Sequence, residues 1–429
     1  MNIKLGINIR ELFIEIKNPS VFLWTEIFQE IRQKIQGYLI KLSLVHTSCE
    51  KLVFYAVYLQ EFEGCIKNSF VPISKQSSSC EKSIFVNCLI IPTGIGATYG
   101  GYAGDANPLA RALSINCDYL LTHPNVVNGA VLSDLPKNII YLEGFLLEQF
   151  LLGVISIIPR KNNRIGVIFD KAISKKRLEY ELNVLNATYA FYGADFVGWT
   201  LTKEPLDIMP VINEYGFSTG RVNHLDSLIE SALRLKNKGA TAIAICSCIP
   251  DLKFNKEYVS GVGVDPIGGI EALLSHTVSA ATGLVSANAP VLTDCEEVDI
   301  SKINPVSASE YIADTFLPAV ISGLRYAPEI IYGDHLLENH LTFNDLKKIF
   351  IPYNSFGSPG VMYMNELYPA KVCLVRENKT CLSVDPLHIN SKFFIADSYL
   401  KVLDMNDLKQ SGITPNVLNR PLKKIIEIN

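Results

Sequence analysis

Four acidic or imidazole side chains in this sequence combine residue type and position in a way that suits proton transfer. His123 directly follows the strand-like run YLLT, Asp105 ends a glycine-rich stretch, and Asp265 and Glu271 lie where a helical pattern begins. An imidazole exchanges protons near neutral pH, and carboxylates act as acids, bases or ligands of an oxygen-seeking cation. We therefore predict that His123, Asp105, Asp265 and Glu271 are catalytic, and that Asp105 and Asp265 could hold Mg²⁺ in preference to zinc.

Each of these residues also has a purely structural interpretation. His123 could cap the neighbouring turn, and an acidic first turn of a helix often does no more than compensate the helix dipole. Both interpretations stay open at the level of sequence.

The stretch TGIGATYGGYAGDANP, residues 93–108, contains five glycines within eleven residues and separates a strand-like run from a helical pattern. Glycine lets a backbone approach a ligand closely, and Asn107 followed by Pro108 is a favourable start for a helix. The alternative is a tight structural loop. The residues of this stretch that we predict to bind substrate are Thr93, Gly94, Gly96, Gly100, Gly101 and Asn107.

The same stretch has a loose GxGxxxG spacing, which raises the question of a dinucleotide site. That fingerprint requires an acidic residue about 20 positions further on, at the end of the next strand. Asp118 begins that strand instead, and Asp105 would repel a phosphate. An NAD(P)-dependent dehydrogenase therefore remains only an alternative function.

Two further loops follow strand-like runs. HPNVVNG at 123–129 supplies Asn125 and Asn128, and the loop at 261–269 ends in a Gly-Gly pair before the helix that carries His276. Glu271 and His276 are five residues apart, so they do not share a helix face as metal ligands spaced by three or four would. Cys248 follows another buried run and is either a nucleophile or core filling. The residues of these loops that we predict to contact substrate are Asn125, Asn128, Gly268, Gly269 and His276.

The elements that must position these loops are short β-branched runs, each followed by a turn and a helical pattern. Runs that are apolar on both faces are typical of parallel strands covered by helices. The runs are IFVNCLII, YLLTH, NIIYLE, RIGVIFD, ATAIAICS and APVLT. Because ligands of such sheets bind beyond the carboxyl ends of the strands, we expect the loops at 94–104, 123–129 and 261–269 to converge on one cleft.

The predicted fold class is α/β, with Rossmann-like parallel-sheet layers, a small α/β N-terminal appendage and a C-terminal α/β lobe. The Ser-rich stretch SKQSSSCEKS at 74–83 is typical of a linker. We accordingly place the appendage at residues 1–82, the core with the glycine-rich loop at 83–332 and the C-terminal lobe at 333–429.

Composition limits the classes of partner. The 429 residues carry a net charge of −4, which provides no broad basic surface for nucleic acid or an anionic bilayer. The longest apolar stretch, 150–158, is about half of a membrane span, and charged residues interrupt any signal-peptide core at the N-terminus. Ten cysteines without regular spacing suggest reduced thiols. We expect a small-molecule ligand as partner, no nucleic acid and no membrane, and a location in the cytoplasm or plastid stroma; a homo-oligomer stays open.

Several of these motifs resemble an uncharacterised family of cyanobacteria and plant plastids, domain of unknown function 3326. The similar stretches are IPTGIGATYGGYAGDANPLARAL, LLTHPNVVNGA, GVDPIGGIEALLSH with the following ANAP, DTFLPAVISGL, VRENKT and DSYLKVL. The resemblance covers about residues 85–405, so the first 80 or so residues look like an addition. Where the family resemblance implies a Cys-Gly-Gly type of turn, this chain has FGSPG at 356–360. The resemblance implies fold and compartment but no reaction.

Together these features predict an enzyme that acts on a small polar or anionic metabolite by acid/base or metal-assisted chemistry. Isomerase, lyase and hydrolase reactions are all compatible with the predicted residues. Besides the dehydrogenase, the other alternative is a ligand-binding or assembly protein without catalytic activity.

Overall fold

The computed structural model describes residues 6–17, 23–67, 70–72, 84–160, 162–250, 256–292, 302–332, 340–389 and 391–428, so the predicted linker at 74–83 lies outside the described residues. The strands are β1 Asn8–Lys17, β2 Tyr38–Thr47, β3 Lys51–Gln60, β4 Val86–Leu89, β5 Tyr119–Thr122, β6 Ile139–Tyr141, β7 Ile155–Ile158, β8 Arg164–Phe169, β9 Asp195–Leu201, β10 Ile208–Ile212, β11 Ser218–Val222, β12 Ala242–Cys246, β13 Cys248–Ile249, β14 Val285–Asn288, β15 Val291–Leu292, β16 Glu329–Tyr332, β17 Leu346–Pro352, β18 Val372–Val375 and β19 Phe394–Ala396.

The α-helices are α1 Trp24–Lys34, α2 Asn107–Ser114, α3 Pro124–Val127, α4 Gly144–Leu151, α5 Lys175–Tyr192, α6 Leu225–Asn237, α7 Lys256–Val259, α8 Gly268–Thr282, α9 Leu317–Leu324, α10 Pro359–Leu367, α11 Tyr399–Val402 and α12 Met405–Ser411. Short 3₁₀ helices are formed by Ala308–Tyr311, Phe343–Asp345, Pro369–Lys371, Pro386–His388 and Pro415–Leu418.

The larger sheet has six parallel strands in the order β6-β5-β4-β17-β18-β19. Numbered within the sheet along the chain, this is the order 3-2-1-4-5-6 of a doubly wound Rossmann fold. The predicted Rossmann-like class is therefore confirmed. The point where the order reverses lies between β4 and β17, so residues from both sides of position 332 build one sheet.

A second parallel sheet has four strands in the order β9-β8-β12-β14. Its central strands β8 and β12 are fully buried apart from Arg164, because helices cover both faces. Helix α6 ends shortly before Gly239, whose φ of +95° favours glycine. Helix α8 packs against β14 of this sheet and also against β11, β2 and α4.

The N-terminal residues form an antiparallel sheet in the order β1-β3-β2, with α1 packed on it. The first strand of this sheet, β1, begins at Asn8. This sheet packs directly on the rest of the chain: the amide of Leu44 donates to the carbonyl of Gly357 at 2.8 Å, and that of Thr47 donates to Ser383 at 2.9 Å. The FGSPG turn thereby becomes a contact between β2 and the segment that follows β17.

Candidate functional site

A cavity of about 170 Å³ lies where the carboxyl ends of β5, β6 and β14 meet the first turns of α8. Thr93, His123, Asn125, Asn128, Asp265, Glu271 and His276 all line it, together with Glu143, Ser275, Asn288, Tyr258 and Glu310. Parallel strands leave their polar loop residues at one edge of the sheet, which explains why residues distant in sequence meet there. None of the described residues that line this cavity is a lysine or an arginine.

Glu143 and His276 form a hydrogen-bonded pair through Oε1 and Nδ1. Glu143 is 1% exposed and its Oε2 accepts from the amides of Phe145 and Leu146, so the carboxylate is fixed at the first turn of α4. In the neutral form of the imidazole, a carboxylate acceptor places the ring proton on Nδ1, and Nε2 of His276 is then the nitrogen that can accept a proton. This is the carboxylate–histidine arrangement of a general base.

Gly144 allows this pair to form. A Cβ at Gly144 would lie 2.8 Å from Cε1 of His276, closer than carbon atoms tolerate. The absence of a side chain at this position therefore lets the imidazole lie against the start of α4.

His123 differs from His276 in the ring nitrogen that is engaged by the protein. Its Nε2 accepts from the amide of Ile91 at 2.9 Å, so the ring proton is on Nδ1. Burial, and secondarily the nearby His276, lower the pKa of His123 to about 4. At neutral pH this side chain is thus an uncharged donor whose Nδ1 has no hydrogen-bond partner among the described residues.

Three carboxyl groups, those of Asp265, Glu271 and Glu310, are clustered in the same cavity. Oδ1 of Asp265 accepts from the amides of Ile267 and Gly268 at 2.9 and 3.0 Å. Glu271 accepts from Nδ2 of Asn288 at 2.9 Å. Backbone amides therefore hold Asp265 in place, and a side-chain amide holds Glu271.

Glu310 connects this cluster to the glycine-rich loop. Its Oε1 accepts from Oη of Tyr258 at 2.6 Å and from the amide of Ala103 at 2.9 Å. Tyr258 in turn stacks on Tyr102, with ring centroids 4.8 Å apart.

Burial raises the pKa of all three carboxyl groups. The charge of Asp265 is the second cause for both Glu271 and Glu310, and it contributes to raising the pKa of Glu310 to about 8. Like charges confined to a dry site cannot all ionise, so at least one carboxyl group keeps its proton at neutral pH. The cavity thus contains both a proton donor and, at His276, a proton acceptor.

Asp105 lies outside the cavity lining, although it belongs to the same loop. Its Oδ2 is 3.2 Å from Nη2 of Arg420, and the guanidinium also stacks on Tyr99. Burial raises the pKa of Asp105 to about 6, partly offset by Arg420. The carboxylate holds the C-terminal segment against the loop, and catalysis or Mg²⁺ binding by Asp105 stays a prediction. Among the described residues no group of three or more His, Cys, Asp or Glu could hold a metal ion.

None of the glycines of the 94–104 loop lines the cavity, and Gly94, Gly96 and Gly104 instead lie against other segments of the protein. Gly94, with φ of +75°, lies against the side chain of Ser218, and its carbonyl accepts from the amide of Ser218 at 2.8 Å. A Cβ at Gly96 would be 2.8 Å from the carbonyl oxygen of Gly263. The loop therefore owes these glycines to close packing against the loops before α8.

The remaining predicted substrate contacts of these two loops are also absent from the cavity lining: Gly100, Gly101, Asn107, Gly268 and Gly269. Asn107 and Pro108 do begin α2, but Asn107 does not cap the helix. The N-cap residue is Ala106, and no side chain forms a capping hydrogen bond. Gly269 packs against the carbonyl of Ser218, and its amide donates to Oγ of Ser218 at 2.8 Å.

The two asparagines of the 123–129 loop do line the cavity, each with its amide nitrogen engaged. Nδ2 of Asn125 donates to the carbonyl of Gly100 at 2.9 Å, and Nδ2 of Asn128 donates to Oη of Tyr141 at 2.8 Å. Their oxygens remain for a ligand. Cys248 is buried in β13 and does not line the cavity, and burial raises the pKa of its neighbour Cys246.

Two important residues were not predicted from the sequence. Glu143 ends the run NIIYLE, so the strand-end rule that selected His123 would also have selected it. Glu310 lies in a 3₁₀ helix without any strand or periodic pattern before it, and no local signal marks it.

Comparison with known proteins identifies relatives of the chain. The family described as protein of unknown function (DUF3326) matches residues 86–419, which confirms the predicted resemblance. A protein of Synechococcus sp. described as an uncharacterized lipoprotein is 32% identical over 344 residues, which cover 80% of this chain and 95% of that relative. No solved structure matches the chain. In the described part of the chain, no helix has the length and apolar character needed to cross a membrane.

Proposed function

The chain belongs to the family described as protein of unknown function (DUF3326), and we propose that it is an enzyme that acts on a small polar metabolite by acid/base chemistry. The observation that carries this proposal is the Glu143–His276 pair beside a cluster of buried carboxyl groups in one cavity. Enzymes use burial and neighbouring charges in this way to tune acids and bases to neutral pH.

In this proposal His276 accepts a proton from the substrate at Nε2. Glu143 stabilises the imidazolium that forms, because the carboxylate faces Nδ1. A protonated carboxyl group of the cluster, for which Glu310 has the suitable pKa of about 8, returns a proton to the substrate.

The Nδ1–H group of His123 has a third role, as a neutral hydrogen-bond donor to a substrate oxygen. Its Nε2 is occupied by the amide of Ile91, so His123 does not act as the base. This sequence of proton transfers suits an isomerase or lyase, and a hydrolase if water is the group that His276 deprotonates. Several carboxyl groups line this cavity, and no lysine or arginine does. Because carboxylates accept hydrogen bonds, the part of the ligand that lies here should carry hydroxyl or amino groups.

A metabolite-library thermal-shift screen, followed by turnover measurements on each hit, tests the proposal. A ligand that binds only the folded state stabilises it by about 2.7 kcal/mol at 100 times its Kd. We expect a hit whose conversion is abolished in His276→Gln. His224→Gln is the matched control, since His224 also faces a carboxylate, that of Asp207 at 3.7 Å, but is exposed. A hit that is bound and never converted would favour the ligand-binding or assembly protein instead.

An NAD(P)-dependent dehydrogenase is the second candidate, and strand order favours it. The glycine-rich loop follows β4, the first strand of a 3-2-1-4-5-6 sheet, which is where dinucleotide-binding loops lie. Against it, Gly94 and Gly96 are covered by Ser218 and Gly263, and no carboxylate follows β5. Calorimetric titration with millimolar NAD(P) tests this candidate: binding followed by cofactor reduction with a substrate would support the dehydrogenase, and absence of binding would remove it.

Location and partners are also part of the proposal. We propose a small-molecule ligand, no nucleic-acid or membrane partner, and a location in the cytoplasm or plastid stroma. The description of the Synechococcus relative as a lipoprotein makes lipid anchoring the competing proposal for this chain. Fractionation of the native cells tests the two proposals. A lipid-anchored protein stays in the membrane fraction after carbonate washing, whereas a protein of the cytoplasm or stroma is recovered in the supernatant.

A further inference from the structure

A second cavity, of about 110 Å³, lies at the point where the strand order of the six-stranded sheet reverses. Ile90, Pro92 and Thr93 follow β4 and line it, and so do Ser355 and Ser358, which follow β17. Ligands of doubly wound sheets characteristically bind in the crevice at this reversal. The second cavity therefore lies where ligands bind in other proteins with doubly wound sheets.

The two cavities adjoin each other. Both are lined by Thr93, His123, Gly144, Ala272 and His276, so the two imidazoles face both spaces. A ligand whose reacting part contacts His276 could extend from the first cavity into the second.

The second cavity is covered by strand β2, whose residues 40–43 line it. Among these is Lys41, the one lysine or arginine among the described residues that line either cavity. Its Nζ lies 5.7 Å from the ring centroid of Tyr55. Lys41 forms no hydrogen bond or ion pair with any described residue.

The charged group that acts on Lys41 is Glu11, which is already engaged. Oε1 of Glu11 accepts from Oη of Tyr55 at 2.8 Å and from Oγ1 of Thr219. Burial lowers the pKa of Lys41 to about 8 in spite of Glu11, so most of the population is still protonated at pH 7. A half-buried ammonium that lacks a direct counter-ion has lost hydration that an incoming anion can replace.

Glu148 also lines this cavity, and its charge must be considered. Its Oε2 accepts from the amide of Gly360 at 2.7 Å, at the start of α10, and burial raises its pKa to about 7. The amide of Gly360 thus engages Glu148 at the start of α10, and Lys41 is the cationic group at the β2 side of the cavity.

We propose that the second cavity is a subsite for a carboxylate or phosphate group of the ligand, bound by Lys41. This inference rests on the proposed function, which it deepens: the substrate is a small hydroxylated or amino compound with an anionic end. The anionic end lies at Lys41 while the reacting end lies beside His276.

Lys41 precedes residues 86–419, the part of the chain that the family matches. The N-terminal sheet therefore contributes the binding cation to a site whose acid/base residues all lie within the matched part. In this chain the sheet acts both as the cover of the cavity and as a determinant of specificity.

The test uses the full-length protein with inorganic phosphate and acetate as probes. Acetic anhydride labelling followed by mass spectrometry reports the accessibility of Lys41, with Lys348 as internal control, since its Nζ also lies over an aromatic ring, that of Phe394 at 4.8 Å. We expect either anion, at constant ionic strength, to slow labelling of Lys41 several-fold and to leave Lys348 unchanged. Equal effects on both lysines, or no effect, would overturn the inference.

Variants supply the second measurement. Lys41→Met should weaken phosphate binding about tenfold or more, because hydrogen bonds to charged groups are the strong ones, whereas Lys348→Met should not change it. This readout does not require turnover. If phosphate binds at Lys41 and no metabolite is converted, only the proposed reaction fails. If a metabolite is converted and Lys41→Met leaves its KM unchanged, only the anion subsite fails.

Discussion

His276 on helix α8 and Glu143 at the start of α4 are hydrogen bonded, although they are 133 positions apart along the chain. The carboxylate is held by two backbone amides, and the imidazole lies against Gly144. The pair thus has a fixed orientation, and both side chains line the cavity. This relationship is the basis of the first two predictions.

Replacing His276 by Gln should lower turnover of a metabolite identified in the screen by about 10²–10⁴-fold, the contribution typical of a general base. Glu143→Gln should lower turnover as well, because the amide cannot stabilise an imidazolium. The measurement is kcat of both variants, compared with kcat of the control His224→Gln. The thermal stability of each variant is measured as well, so that a loss of kcat cannot be caused by unfolding. If all three variants retain the wild-type kcat, the pair has no role in catalysis.

Gly144→Ala should displace the His276 ring without removing any functional group. The added methyl carbon would lie 2.8 Å from Cε1 of His276, and the imidazole can move only by weakening its bond to Glu143. We expect kcat to fall at least tenfold while KM changes little. An unchanged pH–rate profile together with an unchanged kcat would show that this contact does not position the base.

Glu310→Gln should stabilise the protein at high pH. The folded-state pKa of Glu310, about 8, lies above its unfolded value, so the wild-type protein loses stability as pH rises through this window and the variant does not. A tenfold difference in proton affinity between the folded and unfolded states is equivalent to about 1.4 kcal/mol. Urea unfolding at pH 5 and pH 9 measures the free energy of unfolding of both proteins. We expect the value for the variant, minus that for the wild type, to be larger at pH 9 than at pH 5. A difference independent of pH would mean that Glu310 is ionised throughout.

His123 should remain uncharged at pH 5. Burial lowers its pKa to about 4, below that of the unfolded chain, so the stability that its neutral form contributes is lost only as pH falls from about 6.5 through about 4. Imidazole ¹⁵N NMR, assigned with His123→Gln, should show the Nδ1–H tautomer across the neutral range. A titration midpoint near 6.5 would contradict both the burial and the assigned donor role.

Gly269→Ala should destabilise the protein although alanine favours helices. The new methyl group would collide with the carbonyl of Ser218, and overpacking of this kind costs about 1–3 kcal/mol. Gly129→Ala is the control, since the atoms nearest to its added carbon are 3.7 Å away. The midpoint of urea unfolding measures the effect of each variant. If the midpoint of Gly269→Ala equalled that of Gly129→Ala, the close packing between β11 and α8 would be refuted.

The fold class could be predicted from local patterns of apolar residues in the sequence. A run such as AIAIC, which is apolar on both faces, favours a central parallel strand that helices cover on both sides. The strand-end rule likewise placed His123 and Asn128 at a cavity, since the geometry of a parallel sheet brings such loops to one edge. Asp265, Glu271 and His276 reach the same cavity because the first turns of α8, and the loop before it, line that cavity.

The functions of the glycine-rich loop and of the charged residues required the tertiary structure. Glycine permits close approach, but only the fold reveals that Gly94 approaches Ser218, a neighbouring part of the protein. Asp105 pairs with Arg420, 315 residues later, and this ion pair has no local signature.

The amino-acid sequence thus determined the strands, the edge at which their loops meet and several of the polar residues found there, because hydrophobic periodicity and backbone conformation are short-range properties. The tertiary structure alone decided which acid faces which base, as with Glu143 and His276, and brought Lys41 from β2 to the second cavity. Protonation and ligand binding depend on burial and on charges at distances of a few ångströms, and those neighbours are set by packing between distant segments.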